Sequence, residues 1–138
     1  MNFTVLSRAM ALTYVPGMPA ILIGITEWEA KPMVYPGTYL DILRLRFDDV
    51  DQTFDAEGGF KLFDEGQARA ILDFVDKYKD QVDEIVVHCG AGVSRSAGVA
   101  AALCLVFDQE DAEFFILPYL PNRHVYRTIW KVWMGYTS

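Results

Sequence analysis

One short segment of the chain, residues 88–96, combines a nucleophile, a cation and small residues in a fixed order. It reads HCGAGVSRS, with Cys89 near its start and Arg95 six residues later. Gly90 and Gly92 allow a loop tight enough to turn its backbone N–H groups inward, where they favour an anion. A guanidinium adds two parallel donors that match the oxygens of a phosphate group. Residues 89–95 of this segment are called the cysteine loop below. They predict an oxyanion site beside a thiol.

The stretch that follows the cysteine loop, residues 97–107, is apolar and rich in alanine. It predicts a buried helix that begins near Ser94 or Arg95. The N-terminal N–H groups and dipole of such a helix favour an anion and the thiolate form of Cys89, which is the nucleophilic form. A buried structural cysteine is the alternative, but the register of Arg95 and the glycines favours a reactive one.

Cys104 and the histidines do not extend this site into a metal centre. Cys104 lies fifteen residues after Cys89 on the apolar helix, and we predict that it belongs to the core. A resolving cysteine that protects Cys89 from oxidation is the alternative. A zinc site needs about four ligands at patterned spacing. Two cysteines and two histidines far apart do not supply them, so we expect no metal.

Three strands are predicted, and two of them lie directly before segments that contain candidate catalytic residues. Residues 20–24 and 85–88 are short apolar runs, typical of buried parallel strands. Residues 39–47 end in alternation, typical of a strand with one wetter face. Asp48 and Asp49 follow this strand, as the cysteine loop follows residues 85–88. Because ligands bind at the carboxyl ends of parallel strands, we expect these segments to face one cleft.

Two further helices are predicted from their caps. Asp64 is a candidate N-cap with Gln67 three residues on, as in a capping box, before an amphipathic stretch. Asn122, after Pro121, is the candidate N-cap of a last helix. Residues 51–59 have the composition of a loop. Strands that alternate with helices predict an α/β fold, with a central, mostly parallel sheet flanked by helices in a single domain of residues 1–138.

The composition and charge of the chain disfavour several classes of protein. The chain has 138 residues, of which 52% are hydrophobic and 22% charged, enough for one core. The net charge of −7 disfavours nucleic-acid binding, which needs a basic surface. Two cysteines make no disulfide framework, so we expect a reducing, cytoplasmic location. Residues 1–17 lack a signal-peptide pattern, and no apolar run is long enough to span a membrane.

The segment HCGAGVSRS resembles the signature of the cysteine-dependent protein tyrosine phosphatase superfamily: His-Cys, five residues, Arg, then Ser or Thr. Other segments are similar to its dual-specificity branch. Asp49 matches the position of the general acid, and Asp48 that of a neighbour that is often acidic. Pro121 and Asn122 match the pair that opens the last helix. The likeness covers roughly residue 40 to the C-terminus.

The resemblance implies a mechanism and roles for these residues. Cys89 would attack a phosphomonoester to give a phosphocysteine, Asp49 would act as acid and then base, and Ser96 would donate a hydrogen bond to the sulfur. His88 would orient the loop, with Asp48 and Asn122 as further supporting residues. The phosphate would be held by Gly90, Ala91, Gly92, Val93, Ser94 and Arg95. No cofactor is implied. The expected partner is a phosphorylated protein or another phosphomonoester, and the oligomeric state stays open.

Several alternatives stay open at this point. The chain has no Trp-Pro-Asp motif and is short for a tyrosine-specific enzyme, and residues 52–61 form a long connection, so Asp48 is an alternative acid. A pseudophosphatase that binds phosphate without turnover is one rival. Phosphoinositides, nucleotides or RNA 5′ ends are rival substrates, because the loop recognises only the phosphate. A rhodanese-like sulfur transferase is disfavoured by the register from His88 to Ser96.

Overall fold

The computed structural model describes residues 1–27, 30–50 and 59–135. Within these ranges one sheet contains four strands in the order β1-β4-β2-β3. All three strand pairs are parallel, so the four carboxyl ends lie at one edge. The predicted α/β fold with a mostly parallel sheet flanked by helices is confirmed. The strands are β1 (Asn2–Leu6), β2 (Ala20–Thr26), β3 (Ile42–Arg46) and β4 (Glu84–His88).

The strands agree with the apolar pattern more closely at the centre than at the edge. All five residues of β4 are buried between β1 and β2, as expected for a strand covered on both faces. β2 runs two residues beyond the predicted 20–24, to Thr26. β3 is shorter than the predicted 39–47, but its alternation is as expected, because Leu45 is buried while Arg44 and Arg46 are exposed.

Two of the helices begin where the predicted caps at Asp64 and Asn122 place them. Asp64 accepts a hydrogen bond from the backbone N–H of Gln67, whose side chain accepts one in return, so the capping box is present. The Asn122 side chain accepts from the backbone N–H of Val125. The helices are α1 (Arg8–Ala11), α2 (Glu65–Tyr78), α3 (Arg95–Val106) and α4 (Arg123–Met134), with a 3₁₀ turn at Ala112–Phe115.

The two faces of the sheet are covered differently. One face, with Ile23, Ile85 and Val87, packs on α2, α3 and α4. In α3 every residue from Arg95 to Cys104 is buried, which explains its uniformly small and apolar sequence. The other face, with Leu22 and Val86, packs against Ala11 of α1 and side chains from residues 33–39.

The sequence pattern failed mainly in the first forty residues. β1 was not predicted, because its five residues are a short run that begins with the polar Asn2. The acidic segment of residues 109–113 overlaps the start of the 3₁₀ turn. Of the predicted loop at residues 51–59, only Gly59 lies inside the described ranges. Among the described residues, no helix has both the length and the apolar character needed to cross a bilayer.

Candidate active site

The candidate site lies at the edge where all four strands end. β1 leads to Ser7, β2 to Glu27, β3 to Asp48 and Asp49, and β4 directly to Cys89. The cleft expected from the sequence therefore gathers four strand ends rather than two. Parallel pairing produces this, because it directs every carboxyl end the same way.

The cysteine loop is fixed onto the end of β1. The backbone N–H of Cys89 donates to the Leu6 carbonyl over 3.3 Å, and that of Arg8 donates to the Gly90 carbonyl over 2.9 Å. Gly92 has φ +71°, and a Cβ there would lie 2.5 Å from the Ser7 nitrogen. A glycine is therefore required at position 92 both for backbone conformation and for close approach. Ala91 lies exposed at the loop tip.

Cys89 and Ser96 meet at the base of the loop. The Cys89 Sγ lies 3.0 Å from the Ser96 Oγ, within hydrogen-bond distance for sulfur. Both residues are buried, with 2% of Cys89 and none of Ser96 exposed. Ser96 is in the first turn of α3, so the helix start brings its hydroxyl to the sulfur.

Arg95 closes the loop through two of its three side-chain nitrogens. Its Nη1 donates to the Phe47 carbonyl and its Nη2 to Glu27 Oε1, each over 3.0 Å. Its Nε is buried and has no hydrogen-bond partner within the described part of the chain. The guanidinium reaches back across the loop, since a Cβ on Gly90 would lie 3.1 Å from Nη2. A buried donor without an acceptor is costly, and a bound oxyanion would satisfy it.

Glu27 is a site residue that the sequence interpretation missed. Its carboxylate forms an ion pair with Arg95. The pKa of Glu27 is lowered, first by a hydrogen bond from its own backbone N–H and then by that from Arg95. Its position in the sequence could have indicated Glu27, because an acidic residue directly after a buried strand lies at the ligand-binding edge of the sheet.

The two adjacent aspartates point to different partners. Asp49 Oδ1 accepts hydrogen bonds from Ser94 Oγ over 2.8 Å and from Asn122 Nδ2 over 2.9 Å. Asp48 Oδ2 instead accepts from the backbone N–H of Lys61 over 2.8 Å. The structure therefore brings Asp49, but not Asp48, into direct contact with the cysteine loop. Asn122 joins the two segments, as it also donates to the Val50 carbonyl over 3.0 Å.

His88 supports the loop from the opposite face of the sheet. Its Nε2 lies 2.6 Å from the Tyr35 hydroxyl and its Nδ1 3.3 Å from the Cys89 carbonyl. Burial, as the largest cause, lowers the pKa of His88 below its usual value. Gly24 makes room for the contact, because a Cβ there would lie 3.1 Å from His88 Nε2. Tyr35 is a second residue that the sequence interpretation missed.

Cys104 lies outside the site. It is 1% exposed and packs with Ala100, Ala101 and Phe114. Burial is the main cause that raises its pKa to about 11. Its nine-residue separation from Arg95 along α3 corresponds to about 14 Å of helix. Its place among Ala100, Ala101 and Phe114 agrees with the prediction that Cys104 belongs to the core.

The segment before α4 is bonded directly to the cysteine loop. The Leu120 N–H donates to the Val93 carbonyl and the Asn122 N–H to the Ser94 carbonyl, each over 2.9 Å. The loop is thus held between β1 on one side and this segment on the other. Its carbonyls are partnered at Gly90, Val93 and Ser94.

Two solved structures share this architecture at low sequence identity. Human tyrosine phosphatase-like serine/threonine/tyrosine-interacting protein has a TM-score of 0.58 and 19% identity, over 87% of this chain and 80% of that chain. Tk-PTP in its active form has a TM-score of 0.52 and 12% identity, over 94% and 90%. No protein-family model and no curated protein sequence matches the chain. The chain therefore has the α/β fold of the protein tyrosine phosphatases, in its dual-specificity-like form.

Proposed function

We propose that this protein is a cysteine-dependent phosphatase of the protein tyrosine or dual-specificity type. The observation that supports it most is the buried Nε of Arg95, which lacks an acceptor within the described ranges. This donor belongs to a Cys-X5-Arg loop whose nucleophile, Cys89, contacts Ser96. A phosphate group supplies the missing acceptor and presents its phosphorus to the thiolate.

In the first step the Cys89 thiolate attacks the phosphorus, so an S–P bond forms as the P–O bond to the leaving group breaks. Arg95 and the inward N–H groups of the cysteine loop hold the equatorial oxygens, where charge must be stabilised. Asp49 protonates the departing oxygen. Its hydrogen bonds with Ser94 and Asn122 keep it beside the loop.

In the second step water attacks the phosphocysteine, and Asp49 takes the proton of that water. The S–P bond breaks, inorganic phosphate leaves, and the thiolate returns with a hydrogen bond from Ser96. His88 acts through its contacts with the Cys89 carbonyl and Tyr35, which hold the start of the loop. The positive charge in this scheme comes from Arg95 and backbone dipoles, so no cofactor takes part. A reducing compartment such as the cytoplasm would keep Cys89 active.

The proposed substrate is a phosphorylated protein, with phosphotyrosine first and phosphoserine and phosphothreonine next. The name of the human neighbour includes serine, threonine and tyrosine, which supports all three residue types as candidates. Phosphoinositides, nucleotides and RNA 5′ ends remain the alternative substrates. Hydrolysis rates on a panel of phosphopeptides, phosphorylated lipids and RNA distinguish these substrates. The proposed function predicts that the phosphopeptides are hydrolysed fastest.

A phosphate-binding module without turnover is the second candidate. Glu27 favours this candidate, because its carboxylate accepts a hydrogen bond from Nη2 of Arg95 and lies beside the anion site. Such a module would bind phosphorylated proteins through the cysteine loop and release them unchanged.

The test is hydrolysis of p-nitrophenyl phosphate without metal and under reducing conditions. We expect turnover by the wild type, none by Cys89→Ser, and near wild-type rates for Cys104→Ala, the matched change at the other cysteine. Folding of each variant is checked by circular dichroism. A folded wild type that binds vanadate without turnover supports the binding module instead.

A further inference from the structure

An apolar ridge lies beside the candidate active site. It consists of four large side chains close together in the chain between α3 and α4. Their exposed fractions are 41% for Phe115, 64% for Ile116, 75% for Leu117 and 62% for Leu120. An exposed apolar patch of this kind marks a contact site more often than scattered single residues do.

The ridge is continuous with the cysteine loop. A groove of about 430 Å³ is lined both by Asp49 and Ser94 and by Phe115 and Leu120. The Leu120 N–H also donates directly to the Val93 carbonyl. A molecule whose phosphate lies in the loop therefore extends along apolar side chains within a residue or two of the phosphate.

The ridge is held in place before any ligand binds. Phe115 packs edge-on against Tyr126 of α4, with ring centroids 5.5 Å apart, and Phe114 packs against Tyr119 at the same distance. The Tyr119 N–H donates to the Ile116 carbonyl over 3.0 Å. Binding there would need little ordering of this segment, which favours affinity.

Charge distinguishes the possible occupants. The net charge of −7 opposes docking on an anionic membrane. Arg123, at the start of α4, lines the groove and offers a positive charge that attracts a phosphorylated and therefore anionic ligand. A peptide with one phosphorylated residue and apolar neighbours matches both features, whereas a free sugar phosphate offers no apolar group to the ridge.

We propose that this groove binds the segment of a protein substrate that flanks the phosphorylated residue, and that it selects large apolar side chains there. The proposal rests on the proposed function, because it takes the cysteine loop as the site of the phosphate. Leu120, which lines the groove, would be the main specificity-determining residue, and Ile116 of the adjacent exposed ridge a second one. Neither takes part in the chemistry.

The test uses phosphotyrosine peptides that differ only in carrying leucine or serine on either side of the phosphotyrosine. Fluorescence anisotropy with Cys89→Ser measures affinity without turnover, so the result does not depend on whether the wild type is an active enzyme. We expect leucine on the favoured side to bind about 5-fold more tightly or better, from the apolar area that it buries. Leu120→Ser should bring the ratio close to one.

Two comparisons make the result specific. Val34→Ser, at a side chain 85% exposed and outside the ridge, should keep the preference for leucine. Val34→Ser should also hydrolyse p-nitrophenyl phosphate, which has no flanking residues, at the same rate as the wild type. Equal affinity for both peptides, or a preference that survives in Leu120→Ser and Ile116→Ser, overturns the proposal. Equal peptide affinities with ridge-dependent binding to phosphatidylcholine vesicles, or with a ridge-dependent dimer, assign the ridge to a membrane or a second copy and also overturn it.

Discussion

Glu27 holds the edge of the Arg95 guanidinium that a phosphate would bind. Its Oε1 lies 3.0 Å from Nη2, and Nη2 shares one edge of the guanidinium with the unpartnered Nε. Two parallel donors on one edge are what a bidentate phosphate contact uses. The Arg95 side chain is 7% exposed and that of Glu27 51%, so the carboxylate can move aside while the arginine stays.

The first prediction is that Glu27→Gln binds inorganic oxyanions more tightly. A carboxylate about 5 Å from a phosphate disfavours it by about 1 kcal/mol at a high effective dielectric constant, so removal of the charge should tighten vanadate binding about 5-fold. Isothermal titration with vanadate or phosphate measures the change. Glu113→Gln removes one exposed carboxylate outside the site and should leave the affinity unchanged. Weaker binding in Glu27→Gln would show that Glu27 chiefly orients Arg95.

The second prediction concerns the general acid. Asp49 contacts the cysteine loop through Ser94, whereas Asp48 is directed to the Lys61 backbone. We expect Asp49→Asn to lower kcat about 100-fold or more and Asp48→Asn to lower it far less. The loss should be larger for phenyl phosphate than for p-nitrophenyl phosphate, because a poorer leaving group depends more on the proton. Equal losses in the two variants, measured as initial rates, would refute the assignment of Asp49.

The sequence was sufficient for the parts of the site that are local in the chain. The contact between Cys89 and Ser96 and the start of α3 at Arg95 follow from a loop that enters a helix, which a nine-residue pattern specifies. The caps at Asp64 and Asn122 follow in the same way from side chains that bond their own first turn. The roles assigned to these residues stay predictions.

Contacts between distant segments could not be predicted from the sequence. The partner of Arg95 is 68 residues away at Glu27, and the partner of His88 is 53 residues away at Tyr35. Both pairings depend on the strand order, which places β2 beside β4. β1 was missed for a related reason. The role of this five-residue strand in the site depends on the contact of its end with Gly92, which lies far away in the chain.

The third prediction uses two glycines with similar backbone conformations. Gly92 has φ +71° and Gly135 has φ +83°, so alanine at either position costs about 1 kcal/mol in conformational energy. At Gly92 the new Cβ also meets the Leu6 and Ser7 backbone, whereas at Gly135 no atom of residues 1–27, 30–50 or 59–135 lies within 4 Å. We expect Gly92→Ala to lower the free energy of unfolding by about 3 kcal/mol or more and Gly135→Ala by about 1 kcal/mol.

Urea denaturation of both variants measures the difference. A similar loss of unfolding free energy in both variants would mean that the backbone at the end of β1 moves aside easily. The contact with β1 would then not fix the cysteine loop. Anion binding gives a second readout, since displacement of Gly92 should weaken vanadate binding while Gly135→Ala leaves it unchanged.

The last prediction is that His88 makes the protein less stable as the pH falls. Burial is the largest cause that lowers its pKa, and the positive charges of Arg8, Arg95 and Arg44 add to it, while the hydrogen bond to the Cys89 carbonyl opposes it. The unfolded chain therefore binds a proton near the ordinary histidine pKa of about 6.5, at a pH where the folded chain does not. Stability then increases with pH below about 6.5 and levels off above it.

Unfolding free energies at pH 7, 6 and 5 test this prediction when the wild type is compared with His88→Gln, which cannot titrate. Carboxylates contribute to both proteins alike, so the difference between them isolates the histidine. We expect the wild type to lose more stability than His88→Gln from pH 7 to pH 5. His124→Gln, at the other of the two histidines, retains His88 and should keep that sensitivity. An equal loss in the wild type and His88→Gln would mean that the folded protein accepts a proton at His88 as readily as the unfolded chain does.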